Sequence, residues 1–192
     1  MRKLIYLILF FSVACKQKKV SVTDEGILVS PPEAGWEVKM YSVSGNVTQS
    51  KSYCGGARPT DAILQEITAP KPLANSIFYI RKGKENNPVS DEYISFKTDE
   101  NGNFEIKLLP GDYVIIEQNR LDSSYYFSVL KTYSKATDSY SKADTLCMKK
   151  WLSGSLTQFT VKDADVKNIN WDIHRSCWTD VPCIHYSGPL PP

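Results

Sequence analysis

From residue 36 onward, apolar and polar positions alternate with a period of two. Trp36, Val38 and Met40 alternate with Glu37 and Lys39, and the pattern resumes through Val43 and Val47. Alternation of this kind between turn residues marks strands with one buried face. A second run covers residues 77–80, with Pro70 and Pro72 before it and Gly83 after it, and a third covers 93–98. A turn at 99–102 follows, after which Phe104, Ile106 and Leu108 alternate with Asn103, Glu105 and Lys107. Pro110 and Gly111 turn the chain again before 113–117. Leu156, Phe159 and Val161 lead to a turn at 162–165, and Ile169, Trp171 and Ile173 then alternate with Asn168, Asn170, Asp172 and His174. The pattern predicts seven strands, with short helices at 60–67 and 141–152 set in loops. The expected class is all-β, an antiparallel seven-stranded β-sandwich.

The N-terminus follows another rule. Arg2 and Lys3 precede an unbroken apolar run from Leu4 to Phe11, and Ser12, Val13 and Ala14 extend it only to Cys15 before Lys16. A membrane-spanning helix needs about 20 apolar residues, so this shorter run predicts a secretory signal over 1–14. Ala14-Cys15 resembles the lipobox of bacterial lipoprotein signal peptides, with Ser12 where that family usually has Leu, a variation found in Bacteroidetes-like lipoproteins. The resemblance implies that Cys15 is lipidated and becomes the mature N-terminus. Several acyl chains (palmitate among them) anchor stably where one would not. Lys16 after the Cys implies sorting to the outer membrane. Residues 15–35 begin CKQKK, contain Pro31 and Pro32, and keep no period; they are expected to be a flexible tether reaching roughly 25 Å. The domain is expected over 36–192.

Composition narrows the function classes. The chain has 192 residues, enough for one well-filled core, and 42% are apolar, which excludes wholesale disorder. Its 23 basic and 21 acidic residues give +2, too little for nucleic-acid binding by bulk charge. Removal of Arg2 and Lys3 with the signal leaves 21 of each sign. Anchorage would then rest on lipid rather than on charge.

Within the strand-rich region, Thr98-Asp99-x-x-Gly102-x-Phe104-x-Ile106-x-Leu108-x-Pro110-Gly111-x-Tyr113-x-Ile115 resembles carboxypeptidase regulatory-like domains. Gly45-Asn46-Val47 and residues 71–80 fit the first two strands of that module. The resemblance covers about half of the chain and implies a transthyretin-like (prealbumin-type, Ig-like) sandwich of bacterial surface proteins, with no activity attached. Hydroxyisourate hydrolases share that sandwich but end in Tyr-Arg-Gly-Ser, whereas this chain reads His185-Tyr186-Ser187-Gly188 and continues.

With Cys15 set aside, Cys54, Cys147, Cys177 and Cys183 remain, an even number in an exported chain. If seven strands alternate in direction, the first, third, fifth and seventh end at one pole. Cys54 follows the first, Cys147 lies between the fifth and sixth, and Cys177 and Cys183 follow the seventh. All four are then expected at the pole opposite the tether, forming two disulfides, with Cys54 pairing into the C-terminal segment. The alternative is a metal site of His174, Cys177, Cys183 and His185, whose ligand types suit zinc or copper but whose spacing matches no standard finger. Asp99, Asn101 and Asn103 are spaced like the first calcium ligands of an EF-hand loop. Phe104 and Pro110 occupy the positions where that loop needs Gly and Glu, so a hairpin turn is expected.

Further candidates lie among the distal loops. Tyr53-Cys54-Gly55-Gly56-Ala57-Arg58-Pro59 predicts a tight turn, with an anion-holding nest beside Arg58 as the alternative. Tyr53, Arg58, Trp151, Trp178 and Tyr186 are the candidate binding residues, within a wider aromatic set that includes Tyr125, Tyr126, Phe127, Tyr133 and Tyr140. No nucleophile elbow, zincin motif or P-loop occurs. The expectation is a lipid-anchored cell-envelope protein with a non-catalytic binding or structural module and no cofactor. Its expected partners are the membrane and a protein or glycan at the distal loops, and no nucleic acid. Carbohydrate recognition by the distal aromatics and metal handling by the Cys/His pole are the alternatives.

Overall fold

The longest strand, β1 (Tyr41–Lys51), has eleven residues, about 35 Å at a rise of roughly 3.3 Å per residue. The computed structural model describes residues 39–55, 57 and 59–189; Cys15, the signal and the tether lie outside them, as do Gly56 and Arg58. The first half of β1 pairs antiparallel with β5 (Asn103–Leu108), from Tyr41↔Leu108 to Asn46↔Asn103. Further along, the two-residue β2 (Lys71–Pro72) takes over that side, opposite Thr48 and Gln49. On the other side β8 (Trp171–Arg175) runs parallel to β1, from Val47↔Trp171 to Lys51↔Arg175. The second sheet holds β3 (Ile77–Lys82), β4 (Ile94–Lys97), β6 (Gly111–Ile116) and β7 (Thr157–Val161), ordered β4-β3-β6-β7 and antiparallel throughout.

The buried faces of both sheets share one core. Val43 and Val47 from β1, Phe104 and Leu108 from β5, and Ile173 from β8 meet Phe78, Ile80, Phe96, Tyr113, Ile115, Phe159 and Val161. At its centre Phe104 lies 4.6 Å from Phe96 and 5.5 Å from Trp171, ring centre to ring centre, and Phe78 meets Trp171 edge-on at 5.3 Å. Tilted and edge-on rings satisfy the aromatic quadrupole better than face-to-face stacking. Gly45 is required inside this arrangement: a Cβ there would sit 1.9 Å from the Ile169 carbonyl oxygen. The segment leading into β8 therefore passes closer than any side chain allows. Gly102, at φ +76°, closes the β4–β5 hairpin where other residues would be strained.

β6 is buried on both sides, with Tyr113 to Ile116 all below one-tenth exposed, as its unbroken apolar run requires. Opposite Val114 on the sheet's outer face stands Arg81, itself buried. Its guanidinium donates to the Asn87 and Leu121 carbonyls. Asn86 donates to the Arg120 carbonyl at 2.8 Å and the Leu152 carbonyl at 2.7 Å. These bonds pin the 83–92 loop and the start of the 117–156 connection over that face. Burial holds the Arg81 pKa below its ordinary value, partly offset by the nearby Asp91 charge.

Among the described residues three α-helices lie in the loops: α1 (Asp61–Thr68), α2 (Ser124–Thr132) and α3 (Thr145–Ser153). α2 and α3 build a second apolar cluster with the C-terminal segment, in which Tyr126, Val129, Ala143, Met148, Leu152 and Ile184 are buried. Asp144 caps α3, its Oδ1 accepting from the Leu146 amide at 2.8 Å and the Cys147 amide at 3.1 Å. Asp144→Ala is expected to cost about 1 kcal/mol, measured by urea titration against the parent protein.

Four differences from the sequence expectation have physical causes. The described residues form eight strands instead of seven, because a two-residue strand containing Pro72 offers no alternation to read. The first strand starts at Tyr41; Trp36 and Val38 lie outside the described residues, and Met40 is not in a strand. Asn168, at φ +61°, interrupts the extended chain, so the last strand begins at Trp171 rather than Ile169. The sheets are not wholly antiparallel, because residues 162–170 carry the chain out of the second sheet and set β8 beside β1, which runs the same way.

Candidate functional site

β1 and β8 end side by side, with the Ser52 amide donating to the Arg175 carbonyl at 2.9 Å just past the last paired rung. Two residues later on β8 and three on β1, Cys177 and Cys54 are joined in a disulfide with 5.4 Å between their Cα atoms. Cys183 is joined to Cys147 of α3, with 5.8 Å between Cα atoms. The segment 177–183 is therefore fastened at both ends, to β1 through one bridge and to α3 through the other. The Cys54–Cys177 bridge sits at the end where β1 finishes and reaches the C-terminal segment. Cys177 and Cys183 are thus disulfide sulfurs, not thiolates, which corrects the alternative metal reading with His174 and His185. Among the described residues no group of three or more His, Cys, Asp or Glu is placed to hold a metal ion.

The fastened segment carries Trp178 at φ +69°, a conformation that costs a bulky L-residue roughly 1–2 kcal/mol. Its side chain remains 39% exposed. Tyr186 stacks on it with 5.6 Å between ring centres and 29° between planes. Tyr140 meets Tyr186 edge-on at 5.4 Å, and Tyr133 meets Tyr140 at 5.8 Å. The tail is held in place by backbone bonds: the Ser141 amide donates to the His185 carbonyl at 2.9 Å, and the Ser187 amide to the Ser139 carbonyl at 2.8 Å. A cleft of about 460 Å³ lies along residues 174–186.

Of the candidate binding residues, the structure brings the rings of Trp178 and Tyr186 together. Trp151 packs in the second cluster, half-buried, with the Arg120 guanidinium 4.8 Å over its ring and Tyr125 at 5.5 Å. It serves that cluster, which caps the sandwich through α2 and α3, rather than the Trp178–Tyr186 pair. Tyr53 folds over its own turn, its hydroxyl donating to the Ala57 carbonyl. The nest reading depended on Arg58, which lies outside the described residues. Among the wider aromatics Tyr126 is buried, whereas Phe127 is 63% exposed.

His174 stands in an array that the sequence did not reveal. Its Nδ1 lies 3.0 Å from the Ser50 hydroxyl and its Nε2 lies 2.9 Å from the Ser52 hydroxyl. Ser50 also donates to Asp172, and Thr48 donates to the other Asp172 oxygen at 2.7 Å. The parallel register sets Thr48 opposite Asp172 and Ser50 opposite His174, so this is a polar ladder across two strands.

A cavity of about 730 Å³ lies on the first sheet's outer face among Ser44, Asn46, Asp99, Asn103, Asn168 and Asn170. Its polar groups largely bond one another. Asp99 Oδ1 accepts from the Asn101 and Asn103 amides, both at 2.8 Å, and Asn46 donates to Asn103 at 2.9 Å. The Asn103 amide bond, foremost, holds the Asp99 carboxyl below the usual carboxylate range. Asp99 thus organises the hairpin turn.

No protein-family model matches the chain, and no curated protein matches it. Among solved structures, the full-length major pilin SpaD from Corynebacterium diphtheriae is similar over 74% of this chain and 33% of its own, at 15% identity and a TM-score of 0.28. The chain spans about a third of that pilin's length, and the superposition is too loose to carry fold or function.

Proposed function

We propose that this protein is a cell-envelope lipoprotein, held by lipid on Cys15 and directed to the outer membrane. Its transthyretin-like, carboxypeptidase regulatory-like sandwich carries a non-catalytic binding surface at the disulfide end. The observation that supports this reading best is the double fastening of segment 177–183, which holds the exposed Trp178, with half-buried Tyr186 stacked on it, at the end of β1 away from Tyr41. The binding end lies at the far end of β1 from Tyr41, about 35 Å along the strand. Two disulfides suit an oxidising compartment outside the cytoplasm. Balanced charge leaves the lipid as the anchor.

Two experiments test this. Cys15→Ser is expected to move the protein from the membrane to the soluble fraction and to abolish incorporation of labelled palmitate; continued membrane retention would refute the anchor. Fluorescently labelled Cys15→Ser protein is expected to bind saturably to envelopes of the producing cells. That binding should fall at least fivefold when Cys147 and Cys183 are replaced by Ser. Unsaturable or absent binding would refute the binding surface.

A further inference from the structure

We infer that the Trp178–Tyr186 pair is a stacking platform for a neutral, pyranose-based glycan, an inference that rests on the reading of the disulfide end as a binding surface. Four observations converge on this ligand class.

The first is the way Trp178 is held. A large aromatic side chain is ordinarily buried, and the αL backbone at Trp178 is unfavourable for any residue but Gly, Asn or Asp. Here the unfavourable backbone accompanies exposure: φ is +69° and the side chain is 39% exposed. Cys177, immediately before it, is bonded to Cys54, so the ring is oriented in advance of any ligand. Strained, rigidly supported residues of this kind concentrate at binding sites, and prior orientation reduces the entropy lost on binding.

The second is shape. Trp178 and Tyr186 stack with 29° between their planes and 5.6 Å between ring centres, and Tyr140 stands edge-on beside Tyr186 as a wall. A pyranose ring presents the complementary form, a flat face of C–H groups that packs on an aromatic surface. An apolar peptide anchor instead needs a pocket that encloses it and excludes water. The cleft of about 460 Å³ falls within the size range of small-ligand sites and accommodates one or two sugar units.

The third is the rim. Thr179, Asp180, Ser176 and His185 line the cleft beside the rings. They supply both donors and acceptors, as the hydroxyls around a pyranose require.

The fourth is charge. Arg175 and Asp180 both line the cleft, with one charge of each sign, and the chain from Cys15 onward carries 21 of each. Nothing here would draw a polyanion to the cleft, which leaves a neutral glycan as the sugar polymer that fits.

The test is affinity electrophoresis of the full-length, detergent-solubilised protein through gels containing laminarin, xyloglucan, galactomannan or dextran sulfate. Retardation by at least one neutral polysaccharide is expected, and none by dextran sulfate. Trp178→Ala should raise the dissociation constant at least tenfold, whereas Trp178→Tyr should keep it within about threefold. Trp151→Phe, altered in the cap, should leave it unchanged. Circular dichroism and the absence of free thiols would establish that each variant is folded and oxidised. Passage through every neutral gel without retardation, preferential retardation by dextran sulfate, or a folded Trp178→Ala variant that binds like the parent would overturn the inference. The envelope-binding assay scores the underlying reading separately. Saturable envelope binding without polysaccharide retardation would sink the glycan and leave the binding surface standing, whereas failure of both assays would sink both.

Discussion

Replacing Cys54 and Cys177 together by Ser is expected to lower the unfolding free energy by about 4–5 kcal/mol, the chain-entropy value for a loop of roughly 100 residues or more. The bridge joins residues 123 apart in sequence. The Cys147–Cys183 bridge joins residues 36 apart, for which the same relation gives about 4 kcal/mol. Domains of this kind have roughly 5–15 kcal/mol in hand, so the first loss removes a large part of the total. The two bridges also differ in what they secure. Cys54–Cys177 continues the β1–β8 ladder and closes the first sheet, whereas Cys147–Cys183 holds α3 against the tail. Urea titration followed by tryptophan fluorescence should show a lower midpoint for both double variants, with the larger shift for Cys54/Cys177. Hydrogen exchange should then place the effect of Cys147/Cys183 loss in α2, α3 and residues 184–186. A shift below about 1 kcal/mol for Cys54/Cys177 would mean that the strand pair holds without its bridge.

Phe104→Ala should cost about 3–5 kcal/mol, the range for deleting a buried aromatic ring. Phe104 is 5% exposed, with Phe96 and Trp171 packed on it from the second sheet and from β8. The cavity would open where three strands meet, with Phe78 still holding Phe96 and Trp171 in place around it, so little collapse can refill it. Phe127→Ala is the control: its ring is 63% exposed, so the change should stay within about 0.5 kcal/mol. Thermal unfolding of both variants checks the contrast, and equal shifts would contradict the core described above.

β5 was legible in the sequence because one of its faces is buried and the other solvated, so burial writes its period directly into the chain. β6 showed as an apolar run, yet its double burial depends on Arg81 and Asn86 pinning distant loops, which no local pattern encodes. α2 was hidden because its aromatic and β-branched residues have low helix preference; packing of Tyr126 and Val129 in the second cluster decides the outcome. The parallel β1–β8 pairing was equally hidden, and with it the His174 array, which exists only through that register. At the site, sequence placed the four cysteines at one end and named Trp178, Tyr186 and Trp151 together. The backbone at Trp178 and the Arg120 contact to Trp151 are what distinguish the exposed ring of Trp178 from the half-buried ring of Trp151.

The two bridges are interleaved along the chain: Cys54 with Cys177, and Cys147 with Cys183. A polypeptide crossing a membrane N-terminus first exposes its thiols in the order 54, 147, 177, 183. Oxidation in order of emergence would join Cys54 to Cys147 and Cys177 to Cys183, which is not the native pattern. β1 likewise lacks its parallel neighbour until residues 171–175 arrive, a pairing of high contact order and correspondingly late formation. For the export proposed above, maturation would therefore depend either on keeping Cys54 reduced until the C-terminus has crossed or on thiol–disulfide exchange that undoes the early bond. The feature that secures the finished sandwich is also the one that makes its assembly depend on the redox machinery of its compartment.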